Sequence, residues 1–177
     1  MSETGVDRLI TGIEQVCVVV NDLEATMKAY VEKAGLGPWA VYTYAPPLLT
    51  GTRLRGKDVT FSMRLALAWT KGFMWEIIQP LDGPSIYREF LDERGEGLHH
   101  VCVEYGERQF EDARAEFERR GCPPLMEGHY KGSHFMYVEA EGPLKTVVEI
   151  VKRPKYPGYR RPDPERWYPA PPTENPL

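Results

Sequence analysis

Two glutamates and a pair of adjacent histidines are the residues of this chain best suited to chemistry. Glu76 lies inside the apolar stretch MWEIIQP, and Glu149 lies inside VVEIVKRP. A carboxylate in an apolar strand costs several kcal/mol unless a partner neutralises it. His99 and His100 are neighbours in GLHHVCVEY. Because successive side chains of a strand point to opposite faces, the sequence predicts that these two histidines have different roles.

The same segments belong to an internal repeat with an offset of 85 residues, which aligns Gln15 with His100. The segments QVCVVV and HVCVEY share an identical Val-Cys-Val core, whose cysteines, Cys17 and Cys102, are expected to be buried packing residues. Each segment precedes a polar turn, a helical pattern and three further strand-like stretches. The sequence therefore predicts two βαβββ units that pair, because one unit cannot bury both faces of its own sheet.

The two units cover about residues 10–80 and 97–154, with a helix-like patch, PSIYREFLDERG, between them. After each helix, strands are predicted at 39–44, 59–69 and 73–79 and at 125–130, 134–139 and 146–151. We expect residues 1–154 to form one α+β domain.

The remaining residues, 155–177, are expected to form an arm, because seven of the sixteen prolines fall there and an eighth, Pro154, directly precedes them. Such a segment cannot form a helix or an inner strand. Its tyrosines and tryptophan predict an extended arm that lies on the domain or across a partner subunit. A flexible, solvated tail is the alternative.

Composition excludes several classes of function. The net charge is −4, and no Lys/Arg-rich run with interleaved aromatics is present, so no nucleic-acid partner is expected. No apolar stretch approaches the roughly 20 residues that cross a bilayer, so no membrane is expected. Three cysteines are too few for a disulfide framework. These features predict a protein of the reducing cytoplasm.

Paired βαβββ units with these motifs resemble the vicinal oxygen chelate superfamily, which includes glyoxalase I, methylmalonyl-CoA epimerase, extradiol dioxygenases and antibiotic-sequestering resistance proteins. The resemblance implies a curved mixed sheet around a metal-containing cavity. In that family the first and last strands of each module supply one metal ligand each, which implies Gln15, Glu76, His100 and Glu149 as ligands. His100 is preferred because it aligns with Gln15, and His99 is expected to face away, toward a helix or loop.

The implied ligand set suits one divalent ion such as Zn, Ni, Co, Mn or Mg. It is most similar to that of glyoxalase I. A ring-cleaving dioxygenase site would need histidine at position 15. Methylmalonyl-CoA epimerases also usually have histidine there, and they use a further carboxylate from the middle strands of the first module. In that region, between Lys33 and Trp75, Asp58 is the one carboxylate of this chain.

The resemblance implies a metal-dependent isomerase or lyase of the glyoxalase I type. Such an enzyme abstracts a proton next to a metal-bound substrate oxygen and passes through an enediolate-like intermediate. Glu149 is the candidate base and Glu76 its counterpart, and the substrate is expected to be a small oxygenated organic compound. The alternatives are a non-catalytic protein that binds or sequesters a small molecule, and an extradiol-type dioxygenase. Because many related proteins are homodimers, a homodimer is expected.

Overall fold

Residues 5–154 and 161–173 are described by the computed structural model, and they form one mixed sheet of eleven strands with helices. The strands are β1 (Gly12–Val19), β2 (Trp39–Tyr44), β3 (Leu49–Leu54), β4 (Lys57–Asp58), β5 (Met63–Trp69), β6 (Met74–Pro80), β7 (Gly97–Glu104), β8 (Pro124–Tyr130), β9 (Ser133–Val138), β10 (Val147–Lys152) and β11 (Arg166–Tyr168). The helices are α1 (Leu23–Ala29, extended by a π-turn over Tyr30–Ala34), α2 (Ile86–Arg94), α3 (Phe110–Arg119) and α4 (Glu141–Leu144). None of these described helices is long and apolar enough to cross a membrane.

The two βαβββ units that the sequence predicts are both present. Their strands are ordered β2-β5-β6-β1 and β7-β10-β9-β8, and the antiparallel pair β1–β7 joins them. In each unit the first strand pairs in parallel with the last, β1 with β6 and β7 with β10. The four strands that carry Gln15, Glu76, His100 and Glu149 are therefore neighbours at the centre of the sheet.

The helix of each unit packs on the outer surface of the sheet. Asp22 caps the start of α1 by accepting a hydrogen bond from the backbone N–H of Ala25 at 3.0 Å. The buried residues of α1 are Leu23 and Met27. Helix α3 likewise buries its apolar residues Phe110, Ala113 and Phe117. Because both helices lie outside, the inner faces of the two units are left to line the concave side of the sheet.

The connection between the units closes one end of that concave side. The predicted helical patch forms α2, whose first residues, Ile86 and Tyr87, are buried. The hydroxyl oxygen of Tyr87 lies 2.7 Å from that of Tyr137 on β9. Helix α2 thus packs against both units on the concave side of the sheet, beside β1 and β6 of the first and against β9 of the second.

A hairpin of β3 and β4 is present where the sequence analysis predicts no strand, and the strand predicted at 59–69 begins only at Met63. The hairpin turns at Arg55 and Gly56, which both have positive φ, as tight hairpin turns require. Strand β3 pairs with β8 of the second unit. Beside β3, the ring of Tyr44 stacks on the ring of Tyr130, with the centroids 3.6 Å apart. The two rings narrow the opening of the concave side.

The described part of the arm lies on its own chain. Strand β11 pairs antiparallel with β2 at the sheet edge, the position that a proline-rich segment can adopt. The ring of Trp167 is 6.2 Å from that of Trp69, and Arg166 forms an ion pair with Glu24 of α1. Residues 155–160 and 174–177 of the predicted arm lie outside the described residues.

Candidate metal centre

The four residues implied as metal ligands meet on the concave face, and all four are buried. Nε2 of His100 lies 3.4 Å from Oε2 of Glu76 and 3.4 Å from Oε2 of Glu149. Nε2 of Gln15 donates a hydrogen bond to Oε2 of Glu76 at 2.6 Å. This bond uses the amide nitrogen of Gln15 and leaves its amide oxygen for another partner.

The donor atoms have the features of a metal site. Nε2 of His100 and Oε2 of Glu149 are buried without a hydrogen-bond partner, which is rare for polar atoms in proteins. Atoms that bind one divalent ion at roughly 2.0–2.2 Å are separated by roughly 3–3.5 Å. The two separations of 3.4 Å around His100 fall in this range. Two carboxylates and a neutral imidazole also balance the charge of a divalent ion, so the residues fit such an ion.

Cys17, expected to be a buried packing residue, lies beside these atoms. Its Sγ, a carboxylate oxygen of Glu76 and a ring nitrogen of His100 lie within 4.8 Å of one another. Burial and the Glu76 carboxylate raise the pKa of the Cys17 thiol, so the thiol is neutral and packs beside the site. A borderline ion such as Zn²⁺ accepts a sulfur ligand, whereas Mg²⁺ does not.

His99 also lies next to the site, because β7 contains a bulge. Cys17 pairs with His100 and Val18 with Leu98, so the pairing passes over His99. A bulge re-aims the side chain of the extra residue. The ring of His99 lies 5.0 Å from that of Phe90 on α2, so His99 faces a helix, as expected. The expectation that the two side chains point to opposite faces of the strand is wrong, since Nδ1 of His99 lies 2.8 Å from Nδ1 of His100.

The two histidines differ in charge. Although burial favours a neutral ring, the carboxylates of Glu149 and Glu76 raise the pKa of His100 to about 9. Burial, together with the neighbouring His100, lowers the pKa of His99 to about 2. At neutral pH and without a metal ion, His100 is therefore the protonated ring, and its Nδ1–H donates to Nδ1 of His99.

We expect metal affinity to rise with pH up to about 9, because an ion that binds Nε2 of His100 must displace a proton whose pKa is about 9. Below that pH the apparent affinity falls about tenfold per pH unit. Calorimetric titration in buffers of different ionisation enthalpy would measure the proton released. Affinity that is constant between about pH 6.5 and 8.5 would contradict a role for His100 as ligand.

Three of the four implied ligands line a cavity of about 50 Å³. Gln15, Glu76 and Glu149 are buried at its inner end, whereas its outer end is formed by the half-buried residues Tyr44, Ser133, Val151, Arg153 and Arg161. Arg153 forms an ion pair with Glu14. Arg161 belongs to the C-terminal arm, and the sequence analysis does not connect it with the site.

Solved structures share this fold. Methylmalonyl-CoA epimerase from Mycobacterium tuberculosis is 18% identical with a TM-score of 0.60, covering 85% of this chain and 93% of that chain. Hypothetical protein BH1468 from Bacillus halodurans C-125 is 16% identical with a TM-score of 0.59, covering 81% and 95%. A Streptomyces coelicolor methylmalonyl-CoA epimerase in complex with 2-nitronate-propionyl-CoA is 18% identical with a TM-score of 0.52, covering 82% and 99%. Identities this low establish the fold alone.

No curated protein matches the chain in sequence. A family model described as the Glyoxalase/Bleomycin resistance protein/Dioxygenase superfamily matches residues 14–138, which is well over half of the chain. The matched range includes the first strands of both units and the last strand of the first. The protein therefore belongs to the glyoxalase/bleomycin resistance protein/dioxygenase superfamily, the vicinal oxygen chelate group that its sequence motifs resemble.

Proposed function

We propose that this protein is a metal-dependent isomerase or lyase of the glyoxalase I type, which moves a proton at a carbon next to a substrate oxygen. His100, Glu76, Glu149 and Gln15 would hold one divalent ion, such as Zn, Ni, Co, Mn or Mg. When bound, the ion would stabilise negative charge that develops on the substrate oxygen. The observation that carries the proposal is the position of His100 Nε2, 3.4 Å from both buried carboxylates.

Glu149 is the better placed of the two carboxylates to act as the base. Oε2 of Glu76 already accepts a hydrogen bond from Gln15, which fixes its position and occupies one of its lone pairs. Oε2 of Glu149 has no such donor and faces the same cavity. A ligand carboxylate without such a donor could leave the ion when substrate binds and then accept the proton of a substrate C–H group. Glu76, near the other side of His100, would serve as its counterpart for proton return.

The chemistry of an epimerase with a base from the middle strands is less well supported. Asp58 is exposed on β4 and forms an ion pair with Arg53 at 3.0 Å. Among the described residues that line the cavity, the carboxylates are Glu76 and Glu149. We therefore favour a proton transfer carried by these two residues, with a small oxygenated compound as substrate.

The test is metal-dependent exchange of substrate protons with solvent. Protein loaded with each candidate ion is incubated in D₂O with methylglyoxal–glutathione, with methylmalonyl-CoA and with a panel of hydroxyketones, and deuterium is measured by mass spectrometry. We expect one bound ion per chain and exchange that a chelator abolishes. Failure to retain any divalent ion would contradict the proposal. Metal-dependent binding of these compounds without exchange or conversion would favour the sequestering protein instead.

We also propose that the protein is a homodimer of a reducing compartment such as the cytoplasm. Its three cysteines, Cys17, Cys102 and Cys122, are free thiols, which supports such a compartment. Ile13 on β1 and Leu98 on β7, two strands that pair with each other, are 51% and 67% exposed. Exposed large apolar side chains on neighbouring strands are candidates for a contact with another protein chain. A second copy of the chain would cover them.

We expect light scattering to give a dimer for the full-length protein and a shift toward monomer for Leu98→Lys. Leu144→Lys is the matched control, because Leu144 is 50% exposed on α4 and belongs to neither β1 nor β7. A monomeric full-length protein would contradict the dimer. Truncation after Pro154 removes β11 from its own chain, so it should lower the melting temperature by about 5 °C or more and leave the assembly unchanged.

A further inference from the structure

Arg161 is a positively charged residue at the cavity, and it has no role in the proposed reaction. Its guanidinium lies over the ring of Trp69, 5.7 Å from the centroid, and one of its nitrogens is 3.3 Å from Sδ of Met74. Within the described parts of the chain, no carboxylate forms an ion pair with it. It is nevertheless one of the residues that line the cavity together with Glu76 and Glu149.

The arm holds Arg161 at this place through contacts that lie just after it. The carboxylate of Glu165 accepts hydrogen bonds from the backbone N–H of Thr43 at 2.9 Å and from its hydroxyl at 3.0 Å. The backbone N–H of Glu165 donates to the carbonyl of Val41 at 2.9 Å. Because β11 follows directly and pairs with β2, the position of Arg161 is set by an ordered strand.

Charge at the site is unbalanced by one unit when the proposed ion is counted. Glu76 and Glu149 balance a divalent ion, and Arg153 is balanced by Glu14. Arg161 remains as an excess positive charge at the outer end. A ligand with one negative charge would restore neutrality, and a planar carboxylate matches the guanidinium fork with two hydrogen bonds.

The size of the cavity also indicates that Arg161 contacts the substrate. A volume of about 50 Å³ is close to that of one or two water molecules, so the cavity holds only the reacting end of a substrate. The rest of the molecule must leave through the half-buried outer end, where Arg161 and Arg153 lie. A substituent of the substrate at this outer end contacts a guanidinium group before it reaches solvent.

We propose that Arg161, supplied by the C-terminal arm, binds a carboxylate group of the substrate at the outer end of the cavity and so selects oxygenated acids. The inference rests on the proposed function, because it assumes that the reacting end of the substrate binds at the metal centre. Arg161 is then a specificity residue that the arm adds to the two-unit site.

The test uses hydroxamates, which chelate divalent ions through two neighbouring oxygens. Metal-loaded full-length protein is titrated with the monohydroxamates of malonic, succinic and glutaric acids and with uncharged alkyl hydroxamates of matched length. We expect at least one acid probe to bind about tenfold or more tightly than its neutral match, with a preference that weakens as salt is added. Arg161→Met, which retains an apolar side chain against Trp69, should reduce the preference to about twofold or less and leave the neutral probes unaffected.

Arg166→Met is the matched control, because Arg166 lies on the same arm and pairs with Glu24 outside the cavity. It should retain the full preference for the acid probes. Equal binding of acid and neutral probes by the unmodified protein, or a preference that survives Arg161→Met, would overturn the role of Arg161 alone. Failure of every hydroxamate to bind metal-loaded protein would overturn the proposed function, and this inference with it.

Discussion

Replacement of Glu149 by glutamine is expected to abolish proton transfer and to leave the fold intact. The amide keeps the shape of the side chain but cannot accept a proton, and a positioned base contributes about 10²–10⁴-fold to the rate. The change also removes one of two carboxylates near His100 Nε2, so metal affinity should fall. Deuterium exchange at saturating metal separates the two effects, and circular dichroism checks the fold.

Two further variants distinguish a base from a ligand. Glu76→Gln makes the same charge change at the carboxylate that Gln15 already holds, so at saturating metal it should retain more exchange than Glu149→Gln. Glu104→Gln, on the exposed end of β7, should change neither metal affinity nor exchange. If Glu149→Gln keeps more than about a tenth of the exchange rate at saturating metal, Glu149 is not the base.

Sequence periodicity predicts the central strands of this fold, because the repeat gives two independent copies of the same strand pattern. Alignment of Gln15 with His100, and of Glu76 with Glu149, places each pair at the same point of its unit. When the parallel pairs β1–β6 and β7–β10 form side by side, these four positions converge. The convergence depends on hydrogen-bonded register, which is set by apolar alternation that a sequence displays.

Features that break the alternation are not predictable in the same way. The β1–β7 pairing passes over Glu14 on one strand and His99 on the other, and these two bulges re-aim both side chains. Glu14 reaches Arg153 as a result, and His99 reaches His100. Neither bulge can be recognised from the sequence, because the residues around each one still have the pattern of a regular strand.

Long-range contacts account for the remaining differences. Strand β3 contains Thr-Gly-Thr and reads as a loop, but it forms because β8 offers it a free edge. The arm reads as an extended segment, yet nothing in its own sequence specifies β2 as its partner. Since Arg161 reaches the cavity only through that pairing, sequence analysis cannot connect it with Glu76 and Glu149.

Removal of the His100 ring is expected to eliminate metal binding, whereas removal of the His99 ring should only weaken it. His100→Ala deletes the nitrogen that lies 3.4 Å from both carboxylates, and no other imidazole faces that point in the described residues. It also leaves two buried carboxylates without a cation, which should cost the metal-free protein about 3–5 kcal/mol. His100→Gln, which fills more of the space, keeps the test informative if the alanine variant does not fold.

His99 acts through its neighbour. Its neutral Nδ1 accepts the Nδ1–H of His100 at 2.8 Å, which leaves Nε2 as the nitrogen directed at the carboxylates. Partners of this kind are worth about 10–100-fold in metal affinity, so His99→Ala should lose that much and His99→Gln, which restores an acceptor, should recover part of it. Competition titrations against a chelator of known affinity measure all four variants. Equal losses for the two alanine variants would contradict the assignment of His100 as ligand and His99 as its partner, and no loss for His99→Ala would show that the hydrogen bond between the rings does not orient the ligand.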